Sequence, residues 1–361
     1  MLLRMKVARA MMRCFGYASL LAAAGLLAGS PEMALACASQ PGALGVERII
    51  KIDASTGPIY GGISRYIHEP TFLKPREVVL TFDDGPSPRI TRSILKTLKE
   101  FCTSATFFPV GRMAIAFPEV VREIAAAGHT IGAHTWSHPN NLRRHKKTSA
   151  IMQVEKGFAA VAMAAGQPIA PFFRFPGLND DARVLKHMQA RGIATFTVDV
   201  VSDDSYTDDP VKLKIQTVTR AIRQNGGILL FHDIKEATAR ALPDILRELR
   251  KRGFKVVHMK SKHPLKPSTD YDAELTKRFA NATRRKPLPE TSLRAPVHPV
   301  IGAFAIVKPP VTELSPERKL VELANHRAKK KPVALRSSVA APESSWGVRV
   351  DRRPIASSTE R

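Results

Sequence analysis

The sequence predicts an α/β fold: a parallel sheet, closed or nearly closed into a barrel and covered by helices, with an open doubly wound sheet as the alternative. Three observations predict it. Short apolar segments alternate with amphipathic ones between about Leu73 and His258. The apolar segments are nearly continuous runs, as in strands buried on both faces. Polar residues suited to chemistry recur at the C-terminal ends of those runs, the rim on which α/β folds build their sites.

In chain order, "EVVLTF" is the first strand of the series. A helix over Arg92–Phe101 puts Ile94, Leu95 and Leu98 on one face. "SATFFPVG" is a strand, and Pro118–Ala127 is a helix that turns Val120, Val121 and Ile124 inward and ends at Gly128. "TIGAHT" is a strand and Ser149–Ala165 a helix. "PFFRFP" ends a strand, and Ala182–Arg191 is a helix ending at Gly192. "IATFTVDV" (strand), Pro210–Gln224 (helix), "GGILLFHD" (strand), Ala237–Arg252 (helix) and "FKVVHM" (strand) complete the series.

The flanks are different. Met1–Arg13 carries Arg4, Lys6, Arg9 and Arg13, followed by the apolar "FGYASLLAAAGLLAG" and then "SPEMALACA". Basic region, apolar segment and small-x-small site describe a secretory signal peptide over 1–36, cleaved after Ala36. A membrane anchor, or a lipoprotein acylated at Cys37, are the alternatives. Residues 37–72 read as a lead-in segment. The whole chain has 361 residues, three of them cysteine, and a formal net charge of +24. Three cysteines make no disulfide framework; of the two a cleaved chain keeps, Cys37 and Cys102, a single pair is left open, and Cys102, beside "SATFF", reads first as a small buried hydrophobe. Between Ser261 and Arg361 there are 20 Lys and Arg against 10 Asp and Glu, with many prolines and poor periodicity. Residues 263–361 therefore read as a basic, largely disordered tail with one short helix at Pro316–Arg327. Its charge suits an anionic cell-envelope surface. It is diffuse and poor in aromatics, so no nucleic-acid partner is expected.

Asp83 and Asp84 end the first strand of the series, His134 and His138 follow "TIGA", Arg174 ends "PFF", Asp199 ends "TFTV" and His232 ends "ILLF". Two histidines four apart with a carboxylate make a facial site for a catalytic divalent metal. One aspartate then ligates the metal, and the other is free to act as a base. A histidine from another strand can serve as the acid. Together they imply metal-assisted hydrolysis of an acyl group.

"TFDDGP", "HTWSHP", "RFPG", "VDVVSDD" and "LLFHD", in that order, resemble the five motifs of the polysaccharide deacetylases, the NodB homology domain of carbohydrate esterase family four. The resemblance covers about Val78–Met259 and implies a distorted (β/α) barrel over 73–262. It implies Asp83 as catalytic base, Asp84, His134 and His138 as ligands of a divalent metal (usually Zn2+), and His232 as general acid. It further implies that Arg174 orients Asp83, that Asp199 orients His232, and that the Gly177 N–H donates to the oxyanion. The expected activity is removal of N-acetyl groups from N-acetylglucosamine-type residues of an envelope polysaccharide or chitooligosaccharide by an exported protein. Removal of O-acetyl esters, or non-catalytic carbohydrate binding, are the alternatives. The sequence departs from the family in having no Trp after Asp199, where Tyr206 is a candidate replacement, and in having Gly177 where an aromatic is usual. Asp203 and Asp204 read as a solvated turn, and Asp233 as a turn or cap. His68, His129, His145, His187 and His258 read as structural or exposed.

Overall fold

Val78, Val79, Leu80 and Phe82 are all buried although they alternate in direction along one strand, so both faces of that strand are covered. The computed structural model describes residues 42–284. Its strands are β1 (Arg48–Ile52), β2 (Ile59–Tyr60), β3 (Glu77–Asp83), β4 (Thr106–Phe108), β5 (Thr130–Ile131), β6 (Phe172–Phe173), β7 (Ala194–Phe196), β8 (Val200–Val201), β9 (Gly227–His232) and β10 (Lys255–Ser261). Every strand pairing is parallel. β3 pairs with β9 along one edge, and with β10 and then β4 along the other. From there the sheet runs outward to β1, β5 and β8, while β2, β7 and β6 form a second, three-stranded sheet. The isolated bridge Ala133–Phe173 joins the two sheets on one side. On the other, the chain leaves β7 and crosses to β9 as β8. The wall is thus a barrel pulled out of round, and the C-terminal ends of its strands share one rim.

The helices are α1 (Pro88–Glu100), α2 (Gly111–Ala116), α3 (Pro118–Ala126), α4 (Lys147–Ala165), α5 (Ala182–Ala190), α6 (Pro210–Gln224), α7 (Glu236–Lys251) and α8 (Asp272–Arg284). Their starts reflect local chemistry. Proline opens α1, α3 and α6, where its fixed φ suits a helix and its missing N–H is not needed. The Asp209 carboxylate accepts from the N–H groups of Val211 and Lys212 and caps α6. The six helices expected between Arg92 and Arg252 occur within a few residues of their expected bounds; α2 is too short for a periodic signature and is absent from the sequence expectation.

Three expectations need correction. Residues 37–72 are no mere lead-in: β1 pairs with β10 and β2 with β7, so both belong to the wall. β1 alternates half-buried with exposed residues and β2 has only two, so neither shows the continuous apolar run by which the inner strands are read. The folded domain also extends beyond Lys262. A short 3₁₀ turn (Thr269–Tyr271) and α8 pack on α2 and α4 through Leu275, Tyr271 and Phe279, within the segment expected to be disordered. Third, Cys102 is disulfide-bonded rather than a free buried thiol. The signal-peptide segment and the helix expected at Pro316–Arg327 lie outside the described residues.

Candidate active site

The seven β3 residues Glu77–Asp83 are all buried, which carries Asp83 to the rim below the surface. Its partner is Arg174, at the end of β6. Arg174 is 0% exposed and donates from Nη1 to Asp83 Oδ1 at 2.8 Å and to Thr81 Oγ1 at 2.7 Å. Its Nε donates to the Phe196 carbonyl at 3.0 Å, and its guanidinium lies 4.5 Å from the centre of the Phe108 ring. A buried carboxylate held this way has one oxygen occupied and a fixed orientation.

Asp84 comes next, with φ 77, outside the strand conformation. That change of direction aims its carboxylate at the two histidines of the "HTWSH" turn: Oδ1 lies 3.2 Å from His138 Nε2 and 3.5 Å from His134 Nε2. The turn itself is forced, because Thr135 and His138 have φ 68 and 55. It is held by α4: Trp136 N–H donates to the Gln153 carbonyl at 2.7 Å, and Ser137 N–H to Gln153 Oε1 at 3.0 Å. Two glycines give it room. A Cβ on Gly157 would stand 2.7 Å from the Thr135 carbonyl carbon, and one on Gly111 would stand 2.9 Å from the Trp136 ring.

Asp84, His134 and His138 offer ligand atoms that lie within 4.8 Å of one another. These residues fit a cation on their own chemistry. His134 Nδ1–H donates to the Arg174 carbonyl at 2.7 Å, which leaves the Nε2 lone pair facing Asp84. Burial pushes the His134 pKa down to about 4, so the ring is neutral at ordinary pH. Asp84 Oδ1 is buried without a hydrogen-bond partner. Burial would raise this carboxyl, but the surrounding positive charge, foremost the His232 imidazolium, outweighs it and holds it below its usual range. Acceptors converging with no proton between them suit a metal ion, and two imidazoles with one carboxylate suit zinc or a similar divalent metal.

His232, at the end of β9, places Nε2 at 3.9 Å from Asp84 Oδ2. Its orienting carboxylate is Asp204, not Asp199. Asp204 Oδ1 accepts from His232 Nδ1–H at 2.6 Å, while Oδ2 accepts from the His232 N–H at 2.7 Å and from Thr238 Oγ1 at 2.6 Å. Burial would lower the imidazole pKa; Asp204, and then Asp84 and Asp83, outweigh it and push it up to about 10. Asp199 instead accepts from the N–H groups of Gly62 at 2.7 Å and Ile228 at 2.8 Å, tying the β2 exit to β9. The physical reason is the barrel's distortion. The strand does not stop at Asp199 but continues as β8 along β9, so the residue that arrives beside His232 is five positions later. Asp204 is therefore no solvated turn, whereas its neighbour Asp203 pairs with Arg220. A second acid, Asp233, is buried and accepts from the Gly85 N–H at 2.9 Å and from Thr91 Oγ1 at 2.8 Å, which pins the turn just after Asp84. Burial, with the nearby Asp84 charge adding, pushes its carboxyl up to about 7. Both residues have a signal in sequence, being acids beside motif residues, but spacing alone ranks them below the strand ends.

Gly177 lies in a 3₁₀ turn at φ 59 beside the carbonyl of Asn140, two residues beyond His138. Tyr206 is 63% exposed on the loop that carries Asp204. Of the other histidines, His187 pairs with Glu155, and His129 and His258 are buried beneath the barrel away from this rim.

The family model described as polysaccharide deacetylase matches residues 73–196. The chain is 31% identical over 183 residues to a peptidoglycan-N-acetylmuramic acid deacetylase of Bacillus subtilis, a match that covers 50% of this chain and 37% of that protein. It is 31% identical over 204 residues to a chitooligosaccharide deacetylase of Bradyrhizobium, covering 53% of this chain and 89% of that one. The solved structure of a peptidoglycan deacetylase of Bdellovibrio bacteriovorus superposes with a TM-score of 0.55 at 31% identity over 62% of each chain. The chain thus spans little more than a third of the Bacillus subtilis relative's length but most of the rhizobial one's. With a barrel of the same type, and with nearly the full length of a curated relative matched, the chain belongs to the polysaccharide deacetylase family, carbohydrate esterase family four.

Proposed function

We propose that this chain is an exported, metal-dependent hydrolase that removes N-acetyl groups from N-acetylglucosamine-type residues of an envelope polysaccharide or chitooligosaccharide. One observation carries the reading: base, ligand set and acid converge on one point. Asp83 Oδ2 lies 4.0 Å from His134 Nε2, and His232 Nε2 lies 3.9 Å from Asp84 Oδ2. The relatives named as peptidoglycan and chitooligosaccharide deacetylases support the substrate class.

Asp84, His134 and His138 would hold the metal, zinc by their chemistry, which polarises the acetamide carbonyl and makes water more acidic. The remaining steps belong to the protein. Asp83, fixed by Arg174, takes a proton from the attacking water as its oxygen bonds to the acetamide carbon. The Gly177 N–H, beyond His138, is the proposed donor to the oxyanion. His232 gives its Nε2 proton to the nitrogen as the C–N bond breaks, and acetate and a free amino sugar leave. Asp204 keeps His232 in the protonated form that this step requires.

Export is supported by the basic-apolar-small pattern of residues 1–36. The basic C-terminal segment is proposed to hold the enzyme on an anionic envelope.

The test is acetate release from N-acetylglucosamine oligomers by the full chain. Release should vanish on chelation, return with zinc, and fall by about 10²–10⁴ in Asp83→Asn, the usual range for a lost general base. Release that survives chelation, or is untouched in Asp83→Asn, overturns the mechanism.

A further inference from the structure

The turn that carries His134 and His138 is not self-supporting. Thr135 and His138 sit in the left-handed region without being glycine, and such residues persist only where their surroundings over-determine them. On its inner side the turn is tied to Gln153 of α4. Trp136 lies between the two ligands and is 9% exposed. It belongs to one apolar cluster with Ile115 of α2, Ala159 and Ala160 of α4, and Leu275 of α8, which is 0% exposed. Lys156 Nζ stands 4.5 Å from the centre of the Trp136 ring and the Arg278 guanidinium 5.5 Å from it. Both cations are bridged by one α8 carboxylate: Glu274 accepts from Lys156 Nζ at 2.7 and 2.6 Å and from Arg278 Nε at 2.8 Å. Without α8, Trp136 would lose the part of its apolar cover that Leu275 supplies, and the largely buried Lys156 would lose its counter-charge.

We infer that α8 is a positioning element for the proposed metal site: it clamps Trp136 and so fixes the turn on which His134 and His138 point at Asp84. The inference rests on the reading of those three residues as metal ligands. It assigns a role to a helix lying well beyond the segment that the family model matches, 73–196. α8 touches no ligand directly; it acts through Trp136 and, by way of Lys156, through α4.

The experiment uses full-length protein with Leu275→Asp, Leu275→Met as the conservative control, and Glu274→Gln. Two quantities are read well below each variant's melting temperature: zinc affinity by competition with a chromophoric chelator, and amide exchange in the chelated protein. In Leu275→Asp, zinc should bind about tenfold more weakly, the scale seen when a group supporting a metal ligand is lost. Exchange of the Trp136, Ser137 and His138 amides should speed up, while β3 and β9 stay protected. Leu275→Met should match the wild type in both. A purely structural role would lower the melting temperature and leave zinc affinity and those three amides unmoved, and that result overturns the inference. Should Leu275→Asp not fold, Glu274→Gln decides by the same readouts: faster exchange at the three amides supports the clamp, and unchanged exchange overturns it. A wild type that binds no zinc would refute the metal reading itself, and the exchange data would still decide whether α8 holds the turn.

Discussion

Asp83 and Asp84 are chemically identical neighbours with separate surroundings. Arg174 occupies one oxygen of Asp83, whereas Asp84 is turned by its positive φ toward two imidazoles and has a buried oxygen with no proton to accept. The same logic separates Asp199 from Asp204. Only Asp204 touches the His232 ring, and a carboxylate at 2.6 Å stabilises the protonated imidazole. Asp204→Asn should therefore lower the His232 pKa. A general acid works only while protonated, so the alkaline limb of kcat should move to lower pH, with kcat down by about 10²-fold or more. Asp199→Asn keeps no such link and should leave the limb where it is; pH–rate profiles of the two variants check the assignment. A shift in Asp199→Asn with none in Asp204→Asn would reverse it.

Among the elements, β5 and β10 meet at a buried histidine pair remote from the rim. His129 Nδ1 accepts from the Ala105 N–H at 3.3 Å, His258 Nε2 lies 3.2 Å from Thr130 Oγ1, and Lys260 is the cation facing both. Burial, with Lys260 adding, pushes His129 down to about 4 and His258 down to about 3. Each ring binds its proton more readily in the unfolded chain. The stabilisation from keeping them neutral is therefore complete above about pH 6.5, and it is lost as pH falls from there toward the folded values. Over that window each histidine costs about 1.4 kcal/mol per pH unit. Urea unfolding at pH 7.5, 6 and 5 should show a steep loss, shallower in His258→Leu by about that amount. Equal slopes in the two proteins would show that His258 is not held neutral.

For the whole molecule, the boundary of the fold governs how the basic segment can be tested. A cut at Ser261 would remove α8 together with the charge, because α8 is seated on Trp136. A chain ending at Arg284 keeps α8 and loses only the residues beyond it. It should retain the wild-type kcat on soluble oligomers, while its retention on isolated envelope material should fall severalfold at low salt and be indistinguishable from wild type in 1 M salt, where the Debye length is about 3 Å. Undiminished retention at low salt would remove the electrostatic role.

The alternation of strands and helices, the rim, and most of the residues gathered there are legible in the amino-acid order alone. The reason is that buried parallel strands are written as local apolar runs, and chemistry placed at their ends sits at fixed offsets from them. "TFDD", "HTWSH" and "LLFHD" are legible because each is one strand end and one turn. Tertiary structure decided what depends on how distant segments meet. β1 is half-exposed and β2 brief, so neither is written as an apolar run, and both are held in the wall through β10 and β7. α8 sits in a basic stretch whose composition suggests disorder, and it is ordered by a handful of contacts to α2, α4 and Trp136. The partner of His232 was chosen by the crossing of the chain from β7 to β8, a distortion of the barrel wall that carries Asp204 rather than Asp199 to the ring.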